Sequence, residues 1–395
     1  MPLNRRSFLK SSGLSFIPGV LAGLPLAVQA KQPTPDRGYA SEPVVNFFYD
    51  GEWFLGSSYW EQLQQYHNKQ AIKADVYGRG GAVEELEKRM ANITGKEKAI
   101  FMPSGTMANQ LAIAMLSGDN AKVFVQDNSH VFRDEADAAQ SVFNKRLMPL
   151  TGNKTYFTAD ELKAAIENLD REEVFKSGIG CVSIENPVRR SDGRIVPIEE
   201  IKKIREYCQQ KNIPMHLDGA RIFMTAAWSG ISIKEYAAYF DTVYISLYKY
   251  LGASAGAILC GPKAVIDKMP HLMKIHGGTM FGNWLNAAMA LHRLDGFEER
   301  LQEAIARAKN IFAELNKVNG VSVNSIDGGT NIYRMKFPAG TIPQKFFEEL
   351  LKYQVRMPRP GEKGEAMITV NETLLYREPD YIVNAVKDAL TKSRS

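Results

Sequence analysis

Lys249 is the residue best placed for covalent chemistry in this sequence. It stands in Ser246-Leu247-Tyr248-Lys249-Tyr250-Leu251-Gly252-Ala253, directly after an apolar run, between aromatics and ahead of small residues. A partly dry setting disfavours an ammonium, so the amine is expected to have a lowered pKa and to form imines. Thirty-one residues upstream, His216-Leu217-Asp218-Gly219-Ala220-Arg221 closes another apolar run. A carboxylate there suits a protonated ring nitrogen and an arginine suits an anionic oxygen; the plainer account is that Asp218 and Arg221 pair with each other. Pro103-Ser104-Gly105-Thr106 falls between an expected strand and an expected helix. Its small residues admit an anion close to the backbone, and the helix N-terminus adds free N–H groups and a favourable dipole. Such a loop is, taken alone, an ordinary helix cap. His130 follows a further strand in Asn128-Ser129-His130-Val131. Its flat ring either stacks on a cofactor or is a buried, satisfied histidine.

Each motif has a bland explanation in isolation, and the combination does not. A lysine for an aldehyde, an acid for a pyridine nitrogen and a cup for a phosphate are the three groups that pyridoxal 5′-phosphate (PLP) requires. All fall at the carboxyl ends of expected strands, where α/β sheets collect ligands. The spacing therefore predicts a PLP enzyme with its cofactor held as an imine on Lys249. No transition metal is expected. Cys181, Cys208 and Cys260 form no CxxC, and the six histidines form no HExxH pair.

The elements that must position these residues read as an alternation. Helices are expected over 82–95, 106–116, 159–169 and 198–210. Strands are expected over 98–102, 122–126, 181–185, 215–218, 242–247 and 257–260. This order argues for a mostly parallel sheet covered on both faces. After Gly278 the character changes: a long helical pattern over 284–318 with Gly296 as a kink or break, strands near 321–323, 331–337 and 367–370, and helices from 344 and 380. That suggests a separate α+β domain.

The N-terminus reads as an address. Asn4-Arg5-Arg6-Ser7-Phe8-Leu9-Lys10 precedes an apolar stretch that ends in Ala27-Val28-Gln29-Ala30. This is the layout of a cleaved twin-arginine export signal over 1–30, implying a periplasmic or secreted protein. The stretch is short and broken by Gly and Pro, so no stable membrane anchor is expected. Residues 31–45 read as a linker. The formal charge is +5, and the first thirty residues hold three of those cations and no acid, which leaves +2. No basic run marks a nucleic-acid surface, so nucleic acid is not an expected partner.

From Asp75 to the C-terminus the ordered motifs resemble the threonine aldolase/aromatic amino-acid β-eliminating lyase family of fold-type-I PLP enzymes. Asp75-Val76-Tyr77-Gly78 is similar to the family's substrate-side tyrosine segment, Pro103 to Asn109 to its phosphate loop, and Ser129-His130 to its ring-stacking histidine. Ile184-Glu185-Asn186, Asp218-Gly219-Ala220-Arg221, the Lys249 segment and Gly277-Gly278 follow in the family's order. The resemblance implies an α/β fold with a seven-stranded, mostly parallel PLP-binding large domain over 46–283 and a smaller C-terminal α+β domain over 284–395. It implies cofactor contacts from Ser104, Gly105, Thr106, His130, Asp218, Arg221 and Lys249, and catalysis by Lys249, His130 and Asp218. It further implies substrate contacts from Tyr77 and Arg221, and a homodimer or homotetramer; Arg190 is added as a substrate contact on the chemistry of its guanidinium. The expected reaction is cleavage of a β-hydroxy L-amino acid to glycine and an aldehyde. β-Elimination to ammonia and a 2-keto acid is the alternative. A PLP or amino-acid binder without turnover is a third reading, opposed by the presence of both Lys249 and Asp218.

Several positions depart from the family pattern. Tyr248 and Tyr250 flank the lysine where serine and glycine are usual. Pro187-Val188-Arg189-Arg190 follows Asn186 where histidine and asparagine are common. The arginine expected to grip the substrate carboxylate falls near Met367, and the histidine after it is replaced by Asn371. Arg356, Arg359 and Arg190 are the candidates to take over that grip, each with a surface role as the competing account.

Overall fold

Runs such as Val123-Phe124-Val125 have no polar face to offer water, so the sheet they build must be covered on both sides. The computed structural model describes residues 43–52, 54, 56–152 and 154–394. The expected export signal, and the expected linker up to residue 42, lie outside the described residues. The principal elements of the first part are α1 (Ser57–Lys69), α2 (Gly81–Thr94), β1 (Lys98–Met102), α3 (Gly105–Ser117), β2 (Lys122–Gln126), β3 (Arg146–Leu150), α4 (Ala159–Glu172), β4 (Ile179–Glu185), α5 (Ile198–Gln210), β5 (Met215–Asp218), β6 (Thr242–Ser246) and β7 (Ala257–Gly261). The strands form a seven-stranded sheet in the order β1-β7-β6-β5-β4-β2-β3. Only β7 runs antiparallel to its neighbours; the other pairings are parallel.

Successive side chains of a strand point to opposite faces, and the core divides accordingly. Val123 and Val125 pack with Ile113 of α3. Phe124, Val182, Leu217, Val243 and Ile245 pack on the other face with Leu86 and Met90 of α2. The parallel register pairs Glu185 with Asp218, and Asp218 with Tyr244. Three polar side chains are thereby brought level along the carboxyl ends of β4, β5 and β6.

The chain continues through α6 (Trp284–Leu294), α7 (Phe297–Leu315), β8 (Ser322–Ser325), β9 (Ile332–Lys336), α8 (Pro343–Leu351), β10 (Glu365–Thr369) and α9 (Pro379–Lys392). The long helix expected over 284–318 is two helices, because Gly296 sits at φ +64 in the left-handed region. The three strands form an antiparallel sheet in the order β10-β9-β8. Its apolar face joins α7, α8 and α9 in a second core that includes Phe312, Met335, Phe346, Ile368 and Val386. Val45 and Phe47 from the start of the described chain belong to this core, and Val45 pairs in parallel with Val355. Among the described residues no helix is long and apolar enough to cross a membrane.

Candidate active site

The N-terminus of α3 forms one wall of a cavity of about 220 Å³ at the carboxyl edge of the sheet. Ser104 is its N-cap, with Oγ accepting the Met107 N–H at 3.3 Å. Gly105 has no substitute, because a Cβ there would lie 2.0 Å from the hydroxyl of Tyr244. Thr106, Ala255 and Gly256 complete this small-residue end of the cavity.

At the opposite end the strand tips supply charge. Asp218 is buried at the end of β5, with one oxygen receiving the Ala220 N–H at 3.2 Å and the other the Asn109 amide at 2.9 Å. The same Asn109 nitrogen donates to Glu135 at 2.8 Å. With both amide hydrogens committed to carboxylates, the Asn109 oxygen must accept from His216 Nε2, 2.9 Å away. His216 Nδ1 then accepts from the Thr242 hydroxyl at 2.8 Å. Burial holds the His216 pKa down to about 4, so the ring is a neutral strut behind Asp218. His130 lies nearer the cavity, its Nδ1 3.0 Å from Glu135. That hydrogen bond outweighs burial and raises the His130 pKa. Glu185 takes the His130 N–H at 2.7 Å and the Arg189 N–H at 2.9 Å. Burial first, and the neighbouring Asp218 charge second, push its own pKa up.

Lys249 enters the cavity from the loop after β6. Its pKa is lowered to about 8, chiefly by burial and then by the Arg221 charge. An amine in that range is largely available as a nucleophile in mildly alkaline solution.

The residues expected from the sequence separate into two groups. Ser104, Gly105, Thr106, His130, Asp218 and Lys249 line one cavity. Arg221 lies beside it but pairs neither with Asp218 nor into the anion loop; its Nε donates to Asp50 Oδ2 at 2.7 Å. Arg190 lines the adjoining larger cavity and is hydrogen-bonded through Nε and Nη2 to Asp134. Tyr77 is not brought to Lys249: it lines a separate cavity with Lys274 and Met280, and its ring meets Phe281 edge-on at 5.4 Å. Arg359 stacks over Phe347 at 4.6 Å, and neither it nor Arg356 lines a cavity that reaches Lys249. Asn109 and Glu185 stood in the sequence motifs without an assigned role, and Glu135 and Tyr244 were not singled out. Glu185 carried a signal, since it closes an apolar strand run just as Asp218 does.

These groups fit PLP. A small-residue helix N-terminus suits a phosphate, Asp218 suits a protonated ring nitrogen, and Lys249 suits an aldehyde. A Cβ at position 105 would run into the Tyr244 ring, so only glycine lets the helix N-terminus stand this close to the cavity wall.

Comparison with known proteins bears on the fold and the family. The chain is 34% identical over 252 residues to a low-specificity L-threonine aldolase of Candida albicans, a match covering 63% of this chain and 66% of that enzyme. The fold is shared with a Listeria monocytogenes protein provisionally named an L-allo-threonine aldolase, at 24% identity, with a TM-score of 0.72 over 90% of this chain and 98% of that one. It is shared also with SPT solved with PLP, at 14% identity, with a TM-score of 0.61 over 88% and 87% of the two chains. The model of the beta-eliminating lyase family matches residues 63–337. The chain belongs to the beta-eliminating lyase family.

Proposed function

We propose that this protein is a PLP-dependent lyase that cleaves a β-hydroxy L-amino acid to glycine and an aldehyde. The carrying observation is the convergence of Lys249, its pKa lowered to about 8, with Asp218 and the His130–Glu135 pair in one cavity. When bound, PLP supplies the electron sink that stabilises charge left at Cα. Ser104, Gly105 and Thr106 would hold its phosphate, Lys249 would be its attachment point, and Asp218 would face its ring nitrogen as the acid partner. Glu135 occupies Nδ1 of His130, which leaves Nε2 as the ring nitrogen open to substrate. His130 takes the β-hydroxyl proton as the Cα–Cβ bond breaks, and Lys249 returns a proton to Cα. The likeness to a low-specificity L-threonine aldolase supports this bond over the Cα–H bond.

The test supplies the PLP-loaded protein with L-threonine and a panel of β-hydroxy, cysteine and aromatic amino acids, and identifies products by mass spectrometry. Glycine with the matching aldehyde is expected. Ammonia and a 2-keto acid without glycine would move the protein to β-elimination.

Two wider readings belong with this one. The Arg5-Arg6 segment directs export of the folded, loaded enzyme. Replacing both by lysine is expected to leave the protein in the cytoplasm, and unchanged fractionation would refute it. The protein works as a homodimer or homotetramer, supported by the exposed apolar side chains of Val76, Tyr77, Met280 and Phe281. A monomer by light scattering at micromolar concentration would exclude this.

A further inference from the structure

Residues 45–51 form a strap that leaves the second core and ends against the Lys249 loop. Its first part is tied to the C-terminal part of the chain. The Val45 N–H donates to Gln354 O at 3.0 Å, the Phe47 N–H to Arg356 O at 2.9 Å, and the Thr369 N–H to Phe47 O at 2.8 Å. Asn371, fully buried where the family pattern has histidine, donates through Nδ2 to Asn46 O at 2.8 Å and to Tyr49 O at 2.6 Å. The Thr369 hydroxyl donates to the same Tyr49 oxygen at 2.9 Å. Asp50 then takes Arg221 Nε at 2.7 Å and Asn331 Nδ2 at 3.4 Å, one on each oxygen.

At Gly51 the strap lies on the backbone of the Lys249 loop. A Cβ there would stand 2.7 Å from Tyr250 Cα and 3.3 Å from Lys249 O. These are backbone atoms, and neither side has room to give. The buried Tyr250 ring stacks on Phe297 at 5.6 Å and meets Phe223 edge-on at 5.4 Å. β6 ends at Ser246, and the loop closes through the Leu247 N–H to Gly256 O and the Ala253 N–H to Leu247 O. Residues 248–252 stand outside that closure, so packing from the two sides sets where Lys249 is hinged.

We propose that Gly51 is a positioning residue for Lys249 and that Asn371 is the anchor that holds the strap in place; that the amine so placed carries the cofactor rests on the lyase reading above. The aromatic stack of Tyr250 grips the loop from one side and the glycine of the strap from the other. A methyl group added at Gly51, with the strap pinned by Asn371, must push the lysine backbone out of place. A displacement of about 1 Å at a reacting group costs on the order of a hundredfold in rate.

The experiment compares the natural sequence, Gly51→Ala, Asn371→Ala and the double variant, each PLP-loaded. Ile166→Ala, which removes buried volume from α4, serves as the control for lost stability. Hydrogen exchange over residues 247–252 is read by mass spectrometry, with kcat and KM for the amino acid turned over. Gly51→Ala is expected to lower kcat on the order of ten- to a hundredfold with KM nearly constant, and to speed exchange in 247–252 about tenfold. Asn371→Ala alone removes the anchor and should speed that exchange about threefold. In the double variant the strap yields to the added methyl, so exchange should be slower and kcat higher than in Gly51→Ala alone. Ile166→Ala should lower the melting temperature without either effect. Natural exchange over 247–252 in Gly51→Ala or in Asn371→Ala, or a double variant no better than Gly51→Ala, would overturn the proposal. The expected exchange pattern in a protein that turns over no amino acid would uphold the strap and refute the lyase reading instead.

Discussion

Lys249 owes its reactivity to where it sits. Burial, reinforced by the Arg221 charge, moves half-ionisation from the ordinary lysine value of 10.5 to about 8. Acylation of the cofactor-free protein by an amine-directed reagent is therefore expected to show a Lys249 component that rises through pH 8, read by peptide mass spectrometry. A midpoint near that of surface lysines would contradict the dry environment. Lys249→Ala should lose both turnover and covalently retained cofactor. The neighbouring carboxylates divide their labour by environment. Asp218 is held in place by the Asn109 amide and the Ala220 N–H, one on each oxygen. Glu185 is in register beside it and carries the raised pKa.

At the scale of elements, the anion end of the cavity depends on how closely α3 approaches β6. Gly105 lets the helix N-terminus rest against the Tyr244 hydroxyl, and any Cβ would force them apart. Gly105→Ala is expected to weaken PLP binding at least about tenfold, by spectroscopic titration, with a smaller effect on melting temperature. Unaltered cofactor affinity would mean that the phosphate does not sit there. The motifs that the sequence made legible share one trait: each is a short stretch at a strand end, where the chain itself places the side chain. The apolar runs located six of the seven strands of the main sheet. Arg146–Leu150 escaped because it is an edge strand with Pro149 and an exposed face. Asn109 and Glu135 were illegible as site residues, since each acts through a partner brought near only by folding: Asn109 and Asp218 are 109 positions apart. The Arg221–Asp50 pair spans 171 positions and overturns the local Asp218–Arg221 pairing that the motif alone suggests. Tyr77 matched a motif and still lies outside the Lys249 cavity, because the turn that carries it packs on Phe281.

Across the whole molecule, opposing titrations shape stability. His216 and His292 have folded pKa values lowered from 6.5 to about 4, burial being the largest cause. The unfolded chain binds protons there more readily than the folded one, so their contribution is lost as pH falls from 6.5 towards 4. Glu52 and Glu87 behave in the opposite sense. Burial raises each from 4.5 to about 7, and stability declines as pH rises through that window. The two sets oppose one another between pH 4.5 and 6.5, and a shallow profile is expected there. Glu87→Gln should therefore raise the melting temperature more at pH 8 than at pH 5, and His216→Gln should flatten the decline below pH 6.5. Differential scanning calorimetry across pH 4 to 9 reads both, and parallel profiles for variant and natural protein would refute the assignment.

The strand order has a consequence for synthesis. β1 sits at the sheet edge and pairs only with β7, whose first residue follows its last by 155 positions. At a ribosomal rate of roughly 5–20 residues per second, β1 waits on the order of ten to thirty seconds for its partner. During that interval the nascent chain shows an apolar strand with unmet backbone groups, the kind of edge that invites mispairing. Gly256, at the threshold of β7, also lines the cofactor cavity. The synthesis that ends the exposure of β1 is thus the one that completes the lining of the cavity around Lys249.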